Sequence, residues 1–290
     1  MTRLEYAAYN DIVFKNLFAD KRNEDLLEAF LYAALDLPEG SIQKIEVKNG
    51  EITPLELSGK TCRLDLNLTV NNMLVNVEMQ VAPSRDFADR ALFYWSEIFL
   101  SGSEQGMEYG GLRKAITVNL LNYTMFNDDR FYREYVPADL RTGDVLSDKM
   151  QIKFFEMTKV PSVEERTEQD PIKAWLQLLK STTKEELKML EQTSNAPGIK
   201  RAAKVIYEMT ADEKIRQQIR TRRWAEWDRQ NEMAGERAEG RAEGRAEGET
   251  KKAVEVVGRL LNKGVSFADA LGIAGITEQA YRQAKQVTGE

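Results

Sequence analysis

Histidine is absent from all 290 residues of the chain. Ser-His-Asp and Cys-His catalysis are thereby excluded, as are histidine-ligated zinc and nucleases built on an imidazole base. Acid–base work must fall to carboxylates, lysine, tyrosine or metal-bound water. Cysteine is almost as scarce. Cys62 stands alone, so no intrachain disulfide can form, and at the head of an apolar strand it reads as packing rather than as a nucleophile. No GxxxxGK[ST] loop is present, which leaves a P-loop nucleotide site without support. No apolar run is long enough to span a bilayer and no signal peptide is recognisable, so a cytoplasmic protein without membrane contact is expected. The net charge of −6 argues against wholesale electrostatic binding of nucleic acid but leaves room for a local basic groove.

Against these absences stand two strictly alternating segments, Arg63-Leu64-Asp65-Leu66-Asn67-Leu68-Thr69-Val70 and Leu74-Val75-Asn76-Val77-Glu78-Met79-Gln80-Val81. Such alternation marks strands with one buried face. Asn71-Asn72 suits a two-residue turn, because asparagine tolerates positive φ. The register then follows: Val70 faces Met73, Asn67 faces Asn76, Asp65 faces Glu78, and Arg63 faces Gln80. Like charges directly opposite destabilise a sheet. A divalent cation would relieve the repulsion between Asp65 and Glu78, and Mg²⁺ is commonly held by one or two carboxylates plus substrate phosphate. The competing reading is a solvent-facing hairpin with a polar outer face. Asp65 and Glu78 would then pair with Lys15, Arg63 or Arg85 at the surface.

The flanking pattern is α/β. Asn10 can cap a helix carrying Val13, Phe14, Leu17 and Phe18, and a second helix is expected from Asn23 to Leu35, ended by Leu37-Pro38-Glu39-Gly40. Ser41–Val47 alternates as a strand, and Asp86–Leu100 is helical and aromatic-rich. Ala115–Leu121 is a nearly continuous apolar run, expected to be buried on both faces and parallel to its partner. The order is helix, three strands, helix, strand, with the core ending near Tyr123. Strand signals around Tyr132–Val136 and Gln151–Met157 are weak.

The remainder reads as helical. Asp170-Pro171 opens a helix, Lys184–Gln192 forms another, and a longer one is expected over Ile199–Asn231. On it, Arg220, Arg222 and Arg223 with Trp224 and Trp227 suit either nucleic-acid stacking or helix packing. Arg-Ala-Glu-Gly then repeats three times between Arg237 and Gly248, a solvated helix or spacer without an apolar stripe. Last comes a small module, with Ser266 and Thr277 as caps, that suits a helix-turn-helix or a protein-binding bundle. The expected domains are 1–165, a helical extension over 166–232, the repeat over 233–250, and the small module over 251–290.

Asp65, Glu78-Met79-Gln80 and the preceding Asp11-Ile12-Val13-Phe14-Lys15-Asn16-Leu17-Phe18 resemble the recombination-promoting nuclease and transposase family of the PD-(D/E)xK nuclease superfamily. The resemblance spans roughly Asn10 to Tyr123. It implies a restriction-endonuclease-like core followed by a mostly helical C-terminal extension. It further implies a Mg²⁺-dependent DNA endonuclease, with Mn²⁺ as an alternative ion, of low sequence specificity. Recombination, mobile-element biology and defence are its expected settings. Asp65 and Glu78 would be metal ligands, with the Met79 carbonyl as a third oxygen. Gln80 takes the position of the superfamily lysine, a departure that Lys15 or Arg63 would compensate, and Asp11 matches an N-terminal acidic position. DNA is the implied partner, alongside self-association and a regulatory fragment started internally at Met233. The alternative is a catalytically inactive nuclease fold that binds DNA or protein.

Overall fold

The computed structural model describes residues 2–48, 51–52, 62–63, 65–103, 106–163 and 170–288. Two compact units divide the chain, Met1–Ile219 and Arg220–Glu290.

The first unit opens with α1 (Asp11–Ala19), capped as its sequence suggests: the Asn10 side chain accepts from the Ile12 amide at 3.1 Å. α2 (Glu24–Leu35) ends at Asp36, which takes the left-handed conformation at φ 55°. Strands β1 (Ile45–Lys48), β2 (Glu51–Ile52), β3 (Cys62–Arg63), β4 (Leu66–Val70) and β5 (Met73–Gln80) follow. After α3 (Phe87–Ser101) come β6 (Ala115–Leu121), β7 (Tyr132–Tyr135) and β8 (Met150–Glu156). Six strands form one mixed sheet in the order β1-β4-β5-β6-β8-β7, and β2 pairs with β3 separately.

The hairpin register is as the sequence dictates. Val70 lies opposite Met73 and Asn67 opposite Asn76, with Asn71 in the turn at φ 51°. β6 runs parallel to β5, as a strand–helix–strand connection requires, and is buried along its whole length.

Three expectations are corrected. The core does not end near Tyr123: β8 lies between β6 and β7, parallel to β6, so the sheet needs residues as far as Glu156. Arg63 does not face Gln80, because it belongs to β3 and pairs with Glu51. The side chains of Cys62 and Arg63, and all of Leu64, lie outside the described residues. The long helix over Ile199–Asn231 is two helices, α6 (Ile199–Ala211) and α7 (Glu213–Leu261). Asp212 interrupts them, its carboxylate accepting from the amides of Lys214 and Ile215 as an N-cap does.

Alternation sorts side chains to the two sheet faces. Val75, Val77, Met79, Val118 and Phe155 join the main core with α1, α2, α4 (Pro171–Lys180), α5 (Lys184–Thr193) and α6. Phe14, Phe18, Phe30 and Trp175 are all within 1% of full burial there, and Phe18 touches both Phe30 and Trp175, with ring centroids 4.9 and 5.7 Å away. The helical extension therefore shares a core with the sheet, and the first unit continues beyond 165 to Ile219. On the opposite face, Leu74, Ala115, Leu121, Ile152 and Phe154 pack beneath α3.

In the second unit, α7 carries the Arg-Ala-Glu-Gly repeat as continuous, exposed helix. Val257 of α7 packs with Ala270 and Leu271 of α8 (Phe267–Ala274) and with Tyr281 of α9 (Glu278–Thr288). Ser266 and Thr277 accept from the Asp269 and Ala280 amides, fulfilling their cap roles. No described helix is long and apolar enough to cross a membrane.

Candidate active site

The parallel strands β5, β6 and β8 end on one edge of the sheet, the position at which open α/β sheets bind ligands. β4 starts there because it runs antiparallel to β5, which brings Asp65 beside Glu78. The Asp65 amide donates to Glu78 Oε1 at 3.2 Å, and the Met79 amide donates to Asp65 Oδ2 at 2.9 Å. The two carboxylates are thus tied to each other's strands through the main chain.

The polar face of this hairpin is not solvated. Asn76 is fully buried, Glu78 is 3% exposed, and Asn67 and Thr69 are buried as well. Glu78 Oε1 also accepts from Asn76 Nδ2 at 3.1 Å, and Oε2 accepts from Gln80 Nε2 at 3.3 Å. Burial, and then the charge of Asp65, push the Glu78 carboxyl up to about 7, against the hydrogen bonds from Asn76 and the Asp65 amide and the more distant Arg90. A carboxylate held this way beside a second one is a poor surface ion-pair partner. It is a good ligand for a cation that cancels both charges.

Two side chains bring positive charge. Lys15, one turn into α1, places its ammonium 3.3 Å from Asp65 Oδ1. Asp11 is the first residue of α1 and lies one turn before it, partly buried. Arg90, in the first turns of α3, donates from Nη2 to Gln80 Oε1 at 2.7 Å, with its guanidinium carbon 4.9 Å from the Phe87 ring centroid. Its Nε is buried without a hydrogen bond, as is the hydroxyl of Tyr123 just beyond β6. Burial raises the Tyr123 phenol, and Glu156 adds to the effect while Arg90 opposes it. Arg85 is exposed in the loop before α3.

The structure brings Asp65, Glu78, Met79, Gln80 and Lys15 together, with Asp11 one turn before Lys15 on the same helix. Sequence reading overlooks Arg90. The signal for that residue is an arginine one turn inside the helix that connects β5 to β6, flanking the apolar stripe Phe87, Ala91, Trp95 and Ile98.

The donor set fits a hard divalent cation. Among the described residues no group of three or more acidic, cysteine or histidine side chains is poised to hold a metal. Two carboxylates and a main-chain oxygen nevertheless match the sparse protein coordination of Mg²⁺, which keeps several waters and takes substrate phosphate. In a strand, the N–H and C=O of one residue leave on the same edge. The Met79 carbonyl accordingly faces the edge on which its amide meets Asp65.

A mixed sheet with a helix crossover between its central strands, and an acidic pair at the carboxyl edge of the hairpin, defines a protein of the restriction-endonuclease-like nuclease class. The chain belongs to the PD-(D/E)XK nuclease family transposases, whose family model matches residues 8–236. That match takes in both layers of helices, the sheet and the first part of α7. No curated protein and no solved structure matches the chain.

Proposed function

We propose that the protein is a divalent-metal-dependent DNA endonuclease that hydrolyses phosphodiester bonds with little sequence preference. The observation that carries this reading is the buried Asp65–Glu78 pair, cross-tied through the Met79 and Asp65 amides and flanked by Lys15 and Arg90. Asp65, Glu78 and the Met79 carbonyl would hold Mg²⁺ or Mn²⁺. When bound, such an ion polarises the scissile phosphate and lowers the pKa of a water at neutral pH.

The chain's own groups do the rest. Gln80 has no charge to offer the transition state, but its amide links Glu78 to Arg90 and fixes both. Arg90 takes over the electrostatic part played by lysine elsewhere in the superfamily, with a planar donor fork suited to phosphate oxygens. Lys15 orients Asp65 and offers a second cation on the α1 side. Asn76 holds Glu78 Oε1 from behind. Asp11 supplies negative charge at the start of α1, within a turn of Lys15.

The test is nicking of supercoiled plasmid in Mg²⁺ or Mn²⁺. Wild type should nick, EDTA should stop it, and Asp65→Ala should lose at least about a hundredfold, the scale on which an electrostatic catalytic group acts. Equal nicking by wild type and variant would sink the assignment. A second reading, a non-cutting nuclease fold that binds DNA, is favoured by one observation, glutamine at position 80. It predicts metal-independent retention of DNA and no nicking by either protein.

Recombination, mobile-element biology or defence is the setting that suits such an activity, in the cytoplasm. Self-association and an internally initiated product from Met233, carrying the repeat and the last three helices, complete the reading as its regulators. A C-terminal tag that reports one product only would count against the internal start.

A further inference from the structure

On the sheet face opposite α3, a cleft of about 800 Å³ opens between β7–β8 and the C-terminal end of α2. Its floor holds Lys153 of β8, which is 4% exposed. A buried ammonium has three donors to satisfy; the Lys153 carbonyl accepts from Asn119 Nδ2 at 3.1 Å, but its ammonium makes no hydrogen bond among the described residues. Its nearest partner is Glu134 Oε2, an ion pair at 3.9 Å, and that oxygen already accepts the Tyr132 hydroxyl at 2.8 Å. The Tyr132 ring lies 5.6 Å from the ammonium, stacked on Phe155. Desolvation lowers the Lys153 pKa, with Glu134 and Asp36 opposing.

Around this one cation the cleft is acidic. Glu28, Asp36 and Glu39 line it; Glu28 Oε1 accepts the Tyr32 hydroxyl at 2.9 Å, and among the described residues none of the three has an ion pair. Asp36 is held there in the left-handed conformation at the end of α2, a backbone state uncommon outside glycine and asparagine-like residues. Apolar surface from Ala33, Leu37 and Phe131 fills the intervening wall.

We propose that this cleft binds a short arginine-bearing peptide. A main-chain carbonyl or carboxylate oxygen takes the unfilled donors of Lys153. A guanidinium forks onto the carboxylates of Asp36 and Glu28, and its aliphatic stem lies along the apolar wall. Asp25 and Asp170 at the rim are ion-paired with Arg201 and Lys173, but Glu28, Asp36 and Glu39 disfavour the other ligand class that a buried lysine beside aromatic rings would suit, a nucleotide, whose phosphate they would repel. The volume lies within the range of ordinary ligand pockets. The site uses none of the residues of the Asp65–Glu78 centre, so it stands or falls independently of the nuclease reading.

The experiment is isothermal titration of the full-length protein with an acetylated, amidated tripeptide of arginine, alanine and arginine. The same peptide with glutamate for arginine, and a mononucleotide, serve as comparison ligands. Saturable binding of the arginine peptide alone is expected, weakened about tenfold or more in Asp36→Asn, as loss of a charge-assisted contact entails. Asparagine tolerates the same backbone conformation, so that variant keeps the fold testable even where Lys153→Met does not. Asp65→Ala should bind the peptide like wild type. No saturable heat, equal binding of the glutamate peptide, preference for the mononucleotide, or an unchanged affinity in Asp36→Asn each overturns the proposal.

Discussion

At the scale of single residues, Glu78 is where burial and chemistry meet. Its carboxyl sits near pH 7 in the folded protein, against an ordinary value of 4.5. Between those two values the folded chain holds a proton that the unfolded chain has lost, so metal-free stability falls as pH rises through the window. The loss attributable to this group is of the order of 3 kcal/mol at most. Urea melts in EDTA at pH 5 and pH 8 should show it, and Glu78→Gln should remove that part of the difference. A wild-type profile identical to that of Glu78→Gln would exclude the effect. Metal competes with the same proton, so half-saturation of nicking by Mg²⁺ should require more ion as pH drops below about 7. Arg90 offers a second measurement. Arg90→Ala should lower kcat by about a hundredfold or more with little change in KM, since its charge is wanted in the transition state. Arg90→Lys should not restore the rate, because an ammonium cannot both fork onto a phosphate and hold Gln80. Full activity in Arg90→Ala would return the electrostatic role to Lys15.

At the scale of elements, the β4–β5 hairpin was readable because three local signals agree: alternation, turn chemistry and facing carboxylates. One side chain per strand position is enough to fix a register when one face is apolar. β8 was hard to read for the opposite reason. Lys153 interrupts its apolar run, and the strand becomes central only because β6, far away in sequence, offers a parallel edge. The separation of α6 from α7 was likewise hidden, since Asp212 stands between two good helical patterns and acts only through its hydrogen bonds. Helix periodicity marks the apolar stripe of α3 but not the flank from which Arg90 reaches Gln80 at the end of β5. In α7 the repeat places Arg237, Arg241 and Arg245 on one stripe and Glu239, Glu243 and Glu247 on another. Every charged i,i+4 pair within the repeat is like-charged, which works against the helix. The glycines Gly240, Gly244 and Gly248 also have open space where a Cβ would stand. Replacing all three with alanine should stabilise this segment by up to about 1 kcal/mol per site. Thermal melts of the full chain followed by circular dichroism at 222 nm would register it as a later loss of helix. No change, or an earlier loss, would mean that the glycines serve a contact.

At the scale of the whole molecule, each of the two units has its own apolar core. Phe30 is fully buried between Phe18 and Trp175 in the first, and Val257 is fully buried in the second. Phe30→Ala should cost about 3–5 kcal/mol, the usual toll for emptying an aromatic site. That loss should appear only in the transition of the first unit. Val257→Ala should shift only that of the second, and a common shift in both would show that the units melt as one. The sequence boundary at 165 followed composition, whereas the packing boundary follows contacts: α4 and α6 turn apolar faces to α1 and α2, and α5 packs on α6.

Because β5, β6 and β8 run parallel, this sheet cannot zip outward from a hairpin. The β4–β5 pair closes from neighbours in sequence, but its partners arrive only after long loops have been drawn in, the slow part of assembling such a topology. On the ribosome, Asp65 and Glu78 therefore emerge before Ala115–Leu121 and Met150–Glu156 exist to bury them, and a lone hairpin is marginal in water. Until then Glu78 is wet. On the function proposed above, a growing chain would carry the candidate metal ligands before it has the interior that buries them, and cutting would wait on completion of the sheet.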